Sequence, residues 1–336
     1  MITAVILETP GAVSLQLQAL DGWQPQYKAG QFITFVFYTT SGEKRRSYSI
    51  SSSAAMGEPL QITIKRQTNG EFSRPLVAQS QVGNILHSTG IGGFFTLPTQ
   101  LSHIETICFL AAGSGITPCM ALIKFLLVNE KKKIVLFYSN SHQQQTIFYE
   151  SLNQLALAYP HRFTIKYLFS SNKNIMEGRL SHWLLTQLLL QYRIPVKQSL
   201  FFICGPFEYM QMAGISLLSN GAIKKHIITE DFFPLPKTTI PRPPDTDAHR
   251  VSILIEQKQF EFTVQYPQSI TATARAHGIT LPYSCESGRC GSCAATCLSG
   301  KIWMAYNEIL TDEEIAAGRV LTCQGFAIGG DAVIQY

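Results

Sequence analysis

A chain of 336 residues that is 46% hydrophobic and 15% charged holds enough apolar material for two or three globular domains, which excludes a disordered polymer and a small fold stapled by disulfides. Its net charge of +5 is mild, and no Lys/Arg-rich run carries interleaved aromatics, so a nucleic-acid partner is not expected. The charge is uneven, with 6 Lys/Arg against 8 Asp/Glu in residues 250–336 and 21 against 14 before them, which bears on association and not on fold.

The chain opens "MITAVILETP", without a basic n-region and with Glu8 interrupting the apolar run. No secretory signal is read there, and a reducing cytoplasm is the expected setting. Up to about residue 100, the runs "ITAVILET", "VSLQLQAL", "QFITFVFY", "SYSIS" and "LQITIKR" are short, β-branched or aromatic, and separated by Gly, Pro or Ser turns. They predict an antiparallel barrel. Within it, "RRSYSISSS" offers Arg46 for a phosphate, Tyr48 for stacking and Ser49 for a hydrogen bond, and reads equally as an ordinary edge strand.

From residue 105 the rhythm becomes strand then helix, from "TICFLA" and "PCMALIKFLLVNE" to "SLFFICG" and "FEYMQMAGISLLSNG", which predicts a parallel sheet covered by helices. The apolar stretch 107–128 is long enough for a bilayer, but Gly113, Gly115, Pro118 and Lys124 break it, so it reads as a buried strand followed by a helix and no membrane span is expected. In "FLAAGSGITPCMAL" Thr117 is the expected cap of that helix and Pro118 suits its first turn. Free N–H groups at such a start favour a phosphate, although a plain strand-to-helix turn has the same look. Residues 232–247, "FFPLPKTTIPRPPDTD", read as an extended linker. A hairpin in "RVSILIEQKQFEFTVQY", a short helix capped by Ser269, a cysteine-rich loop and a closing strand "DAVIQY" follow.

In "YSCESGRCGSCAATCLSG", Cys285, Cys290 and Cys293 are spaced C-x4-C-x2-C, and Cys323 follows after 29 intervening residues. A long chain in a reducing setting has no need of disulfides, and zinc prefers paired knuckles, of which there is one. The spacing is that of a plant-type [2Fe-2S] cluster with four thiolate ligands. Cys297, Cys108 and Cys119 are read as small buried hydrophobes. The acids of "NEILTDEE", Glu308, Asp312, Glu313 and Glu314, form either a solvated helix start or a docking patch.

"GQF" at 30–32, "RSYS" at 46–49, "GEFS" at 70–73, "GSGITP" at 113–118, "CGP" at 204–206 and the cysteine set occur in one order along the chain. In that order the chain resembles the ferredoxin-NAD(P) reductase superfamily, in the branch with a C-terminal plant-type ferredoxin, as in the reductases of Rieske-type oxygenases, phenylacetyl-CoA epoxidase and hybrid cluster protein. The resemblance implies a multidomain α+β fold. Residues 1–101 are expected as an antiparallel FAD-binding β-barrel, 102–232 as an α/β NAD(P)-binding domain with a parallel sheet, 233–249 as a proline-rich linker and 250–336 as a β-grasp ferredoxin domain.

The same resemblance assigns Arg46 to the flavin diphosphate, Tyr48 to the isoalloxazine face, Ser49 to the neighbourhood of its reactive nitrogen, and Gly70 and Ser73 to the diphosphate loop. Gly113, Gly115, Thr117 and Pro118 become the phosphate turn of the nicotinamide dinucleotide, with Cys204, Gly205 and Pro206 beside the nicotinamide. Glu230 and Phe232 stand where the family often sets an acidic-aromatic pair near the flavin. Tyr48, Ser49, Cys204 and Glu230 are thus the expected catalytic set. The nucleotide is NADH or NADPH, and "YSNSHQQQ", which offers Ser141 and His142 but no guanidinium, favours NADH. Electrons are expected to reach a protein acceptor of oxygenase, desaturase or hybrid cluster protein type. The alternative is a non-catalytic zinc or redox-sensing module on an interaction scaffold.

Overall fold

The computed structural model describes residues 1–336 apart from Ser41, Lys173, 233–239 and 256–257, with backbone only at Ile175. The chain divides into two compact units, one of residues 1–91 and 95–233, the other of 92–94 and 234–336.

In the first unit, six strands form two three-stranded antiparallel sheets. They are β1 (Ile2–Thr9), β2 (Ala12–Leu17), β3 (Phe32–Thr39), β4 (Gly42–Ser49), β5 (Gln61–Lys65) and β6 (His87–Gly92), in orders β1-β2-β5 and β4-β3-β6. The pairing Ile50↔Ile62 links the sheets. Their inward faces share a core of Ile2, Leu15, Ile33, Phe35, Ile62 and Ile64, as alternation of apolar and polar residues requires. The helix α1 (Ser73–Gln79) leans on this core through Leu76.

The same unit continues into a five-stranded parallel sheet of β7 (Thr106–Ala112), β8 (Lys133–Asn140), β9 (Phe163–Phe169), β10 (Ser199–Cys204) and β11 (Ile227–Glu230), in the order β11-β10-β7-β8-β9. Helices α2 (Ile116–Asn129), α3 (Tyr149–Ala158), α4 (Ile175–Gly178), α5 (His182–Gln191) and α6 (Phe207–Ser219) connect its strands. Leu122, Ile123 and Leu152 of α2 and α3 pack on one face, and Leu185, Leu188 and Leu217 of α5 and α6 on the other. Burial on both faces explains why these strands are continuous apolar runs. The stretch 107–128 is the expected strand and helix, and among the described residues no helix is long and apolar enough to cross a membrane. Lys124, which breaks that stretch, is 8% exposed and is neutralised by Glu58 of the barrel half at 2.7 Å.

The second unit has a sheet ordered β13-β12-β18-β14-β16 and a small pair β15-β17. Its strands are β12 (His249–Ile255), β13 (Lys258–Val264), β14 (Ala294–Ser299), β15 (Ile302–Met304), β16 (Arg319–Leu321), β17 (Gly325–Ala327) and β18 (Ala332–Gln335). The helix α7 (Ile270–Ala276) packs on this sheet through Ile270 and Ala274, with Ser269 accepting the Ala272 N–H as its cap, and α8 (Asp312–Ala316) precedes β16. Part of the proline-rich stretch, 233–239, lies outside the described residues; 240–248 carry no helix or strand, and Asp245 ties them down by accepting the Gly329 N–H at 2.6 Å.

Candidate functional site

The order of the parallel sheet reverses between β7 and β10, and ligands of such sheets bind beyond the carboxyl ends of strands at that point. There β7 gives way to a single turn, Gly113–Gly115, and then to α2. A Cβ on Gly115 would lie 2.0 Å from the Cys204 carbonyl oxygen and 2.9 Å from Gly205 N. Only glycine lets the two strand ends touch, and the contact sets Gly115, in the turn that leads to Thr117 and Pro118, against Cys204 and Gly205.

Thr117 is not the cap expected of it. The helix begins earlier, with Gly115 at the cap, and the Thr117 hydroxyl donates to Ser114 O at 2.9 Å, so it braces the turn from inside. Pro118 does fall in the first turn. Sequence reasoning also passed over Lys65, at the end of β5, whose Nζ lies 3.2 Å from where a Gly113 Cβ would stand. Burial lowers the pKa of this ammonium, and a half-desolvated cation beside the turn that leads into α2 is suited to a diphosphate.

In the barrel, β3 and β4 pair antiparallel with Phe35 opposite Arg46, Ile33 opposite Tyr48 and Phe32 opposite Ser49. The Arg46 guanidinium lies 5.1 Å over the Phe72 ring, which stacks on Phe37 at 4.3 Å. This sets Arg46 beside the turn of Gly70 and Ser73. A Cβ on Gly70 would meet Ser73 Oγ at 2.0 Å, and that oxygen already accepts the Gln67 N–H. Ser73 therefore closes the turn, and Arg46 supplies its charge. Burial, only partly opposed by Arg46, pushes the Tyr48 phenol up to about 12, which keeps the ring neutral.

Glu230 ends β11 in register with Cys204, and Phe232 packs against the core beneath the sheet. The buried atoms Ser49 Oγ and Glu230 Oε2 lack a hydrogen bond of good geometry, yet Ser49 lies close enough to draw the Glu230 pKa down against a larger upward push from burial. The result is about 8. Burial, and then the nearby charge of Glu230, raise the Cys204 thiol well above its ordinary value, so it is no nucleophile. At and just past the end of β8, Ser139 Oγ, Asn140 Nδ2 and His142 Nδ1 are buried without partners of good geometry, a polar group of which the sequence singled out only His142. An aromatic face, a guanidinium at a glycine turn and two orphaned polar atoms fit a flavin with its diphosphate.

The second unit carries the cysteine loop. Among the described residues, no three His, Cys, Asp or Glu side chains gather as one metal ion needs. The four thiols instead form two pairs, Cys285 with Cys290 and Cys293 with Cys323. Two pairs suit a [2Fe-2S] cluster, in which each iron takes two thiolates, whereas a single zinc needs four around one centre. Hydrogen bonding from Cys290, helped by Ser287 and the Arg289 N–H, holds the Cys285 thiol below its ordinary value against the upward push of burial. The loop turns so tightly at Gly288 that a Cβ there would meet Tyr306 O at 2.6 Å. Cys108 and Cys119 are buried as expected; Cys297 is only half-buried and donates to Ser299 O at 3.3 Å. Two acids of "NEILTDEE" have local work, since Glu314 closes a capping box with Thr311 and Glu308 pairs with Arg289 at 2.6 Å, which favours the helix-start reading.

Two family models match the chain: an oxidoreductase NAD-binding domain over residues 109–214 and a 2Fe-2S iron-sulfur cluster binding domain over residues 253–327. The chain is 32% identical to the 3-ketosteroid-9-alpha-monooxygenase ferredoxin reductase component of Mycobacterium tuberculosis (strain ATCC 25618 / H37Rv), over 96% of this chain and 91% of that one. It is 30% identical to a component of the 1,2-phenylacetyl-CoA epoxidase of Escherichia coli (strain K12), over 100% and 96%. Its fold is similar to that of phthalate dioxygenase reductase, with a TM-score of 0.61 at 19% identity over 100% of this chain and 96% of the other.

Proposed function

The chain belongs to the ferredoxin reductase family of oxygenase electron-transfer components, and on that premise we propose how its residues divide the work. It is an NAD(P)H-dependent reductase. FAD, when bound, takes two electrons from the nicotinamide and releases them singly to a [2Fe-2S] cluster, which serves an acceptor protein of the oxygenase type. A plant-type cluster works at about −400 mV, low enough to drive such acceptors.

Residues 1–101 form the FAD domain, 102–232 the NAD(P) domain, 233–249 the linker and 250–336 the ferredoxin domain. Arg46, with the turn of Gly70 and Ser73, holds the flavin diphosphate, and Tyr48 lies on the ring. Gly113, Gly115, Thr117 and Pro118 shape the turn that receives the nucleotide diphosphate, and Lys65 adds the charge. Cys204, Gly205 and Pro206 present a tightly packed, uncharged edge to the nicotinamide and exclude water from it. Glu230, neutral at pH 7, holds a proton toward Ser49, and Phe232 closes the same side. Cys285, Cys290, Cys293 and Cys323 hold the cluster. The group of Ser139, Asn140 and His142 favours NADH, since a 2′-phosphate would meet no guanidinium there. The setting is the cytoplasm, where thiols stay reduced.

The observation that carries the reading is the meeting of Ser49, from the barrel, with Glu230 at the carboxyl end of β11. The rival zinc or redox-sensing scaffold needs no such orphaned pair, and its zinc would want four thiols around one point. The test is the visible spectrum of anaerobically purified protein before and after NADH. Flavin and iron-sulfur bands that both bleach support the reading; protein that stays colourless after reconstitution with FAD, iron and sulfide overturns it.

A further inference from the structure

The cysteine loop contains a backbone conformation disfavoured for any residue with a side chain. Glu286, directly after the first cysteine, has φ 49°. This left-handed geometry is disfavoured for a residue with a side chain and persists only where the surroundings over-determine it. Two groups hold it here. Gln324 Nε2 donates to the Glu286 carbonyl oxygen at 2.8 Å, and Arg275 Nη1 meets Glu286 Oε1 at 3.0 Å while its guanidinium lies 5.2 Å over the Tyr283 ring. The Arg275 and Glu286 side chains are 51% and 42% exposed, so their pair is weak. Gln324 is 8% exposed and follows Cys323 directly, so its amide is the stronger hold and ties the first-ligand segment to the fourth.

The consequence lies one residue on, where the Ser287 N–H points at Cys285 Sγ, 3.4 Å away. An extended or helical Glu286 would turn that peptide and remove the donor. A hydrogen bond to a ligand sulfur stabilises the added electron on an iron-sulfur centre and raises its reduction potential.

We propose that Gln324 is a positioning residue that, by holding the Glu286 backbone, keeps the Ser287 N–H on Cys285 Sγ and thereby sets the reduction potential of the cluster. The inference rests on the cluster reading above. A protein without a cluster would sink that reading, whereas a loaded cluster with an unmoved potential would sink this inference alone.

The experiment is a spectroelectrochemical titration of the cluster in the holoprotein at raised ionic strength, with the EPR g-values of the reduced protein as second readout. Gln324→Leu is expected to weaken electron affinity by up to about tenfold, or about 59 mV toward lower potential for one electron. Glu286→Gly, which adopts the left-handed backbone freely, is expected to stay near wild type, and adding it to Gln324→Leu is expected to restore part of the loss. Should Gln324→Leu fail to load iron and sulfide fully, Arg275→Met serves in its place, with a smaller shift of the same sign. An unchanged potential and unchanged g-values in whichever of these two variants is fully loaded would overturn the proposal.

Discussion

Glu230 invites a test that separates its protonation from its packing. Burial lifts its carboxyl from 4.5 to about 8, so in the folded protein it stays protonated through the range in which the unfolded chain has already ionised it. The folded state then binds more protons than the unfolded one, and stability falls as pH rises from the unfolded value toward the folded one. The contribution is complete below about pH 4.5 and lost above about pH 8. Between pH 6 and pH 9 about two pKa units of linkage disappear, about 3 kcal/mol at 1.36 kcal/mol per unit, an upper bound because a carboxylate can recruit water. Glu230→Gln keeps the shape of the neutral acid and cannot ionise. The thermal midpoint of the variant relative to wild type should therefore rise between pH 6 and pH 9, by up to about 5–10 °C on the usual scaling for a unit of this size. Turnover with NADH should lose any descending limb near pH 8 in the variant. A gap between variant and wild type that is the same at pH 6 and pH 9 would refute the argument, since packing alone does not titrate.

Other outcomes follow from close approaches and pairings. Gly115→Ala drives a methyl into backbone rather than a pliant side chain. It should destabilise the first unit by about 1–3 kcal/mol in urea melts and raise the KM for NADH. Lys65→Met removes a half-buried cation beside the Gly113 turn, and should raise the KM for NADH roughly tenfold with kcat little changed in steady-state assays, the signature of lost ground-state binding. Cys297→Ser should keep the full iron and sulfide content, whereas Cys323→Ser should lose the cluster, both read by iron and sulfide analysis, because Cys323 completes one of the two thiol pairs and Cys297 belongs to neither.

What the sequence revealed and what it concealed divide along the range of the interactions. The thiol spacing is local, so the ligand set is legible from residues 283–323 without any fold. The parallel strands are legible because burial on both faces leaves runs such as "SLFFIC" with no polar alternation. β6 was not legible as a strand, since "HSTGIG" has two glycines in six residues and no apolar alternation; its strand character comes from pairing with β3. Nor was the true extent of β4, where "GEKRR" looks like a polar loop until Arg45 is seen buried against Glu43 at 2.8 Å. Thr117 had the residue type of a cap, and a turn that begins the helix two residues sooner displaced it. Lys65 and the pairing of Ser49 with Glu230 depend on which strand ends the fold brings together, and no local pattern carries that information. Gln324 likewise acts through a carbonyl on the far side of the cysteine loop.

The central claim is that nicotinamide electrons reach a four-thiolate iron-sulfur cluster through a flavin on one chain. EPR of the anaerobic protein frozen after reduction by NADH tests it most directly, beside an assay of flavin, iron and acid-labile sulfide. The account predicts one FAD, two irons and two sulfides per chain and an iron-sulfur signal that NADH alone develops. Zinc in place of iron, or a loaded cluster that NADH leaves without a signal although dithionite reveals one, would contradict it.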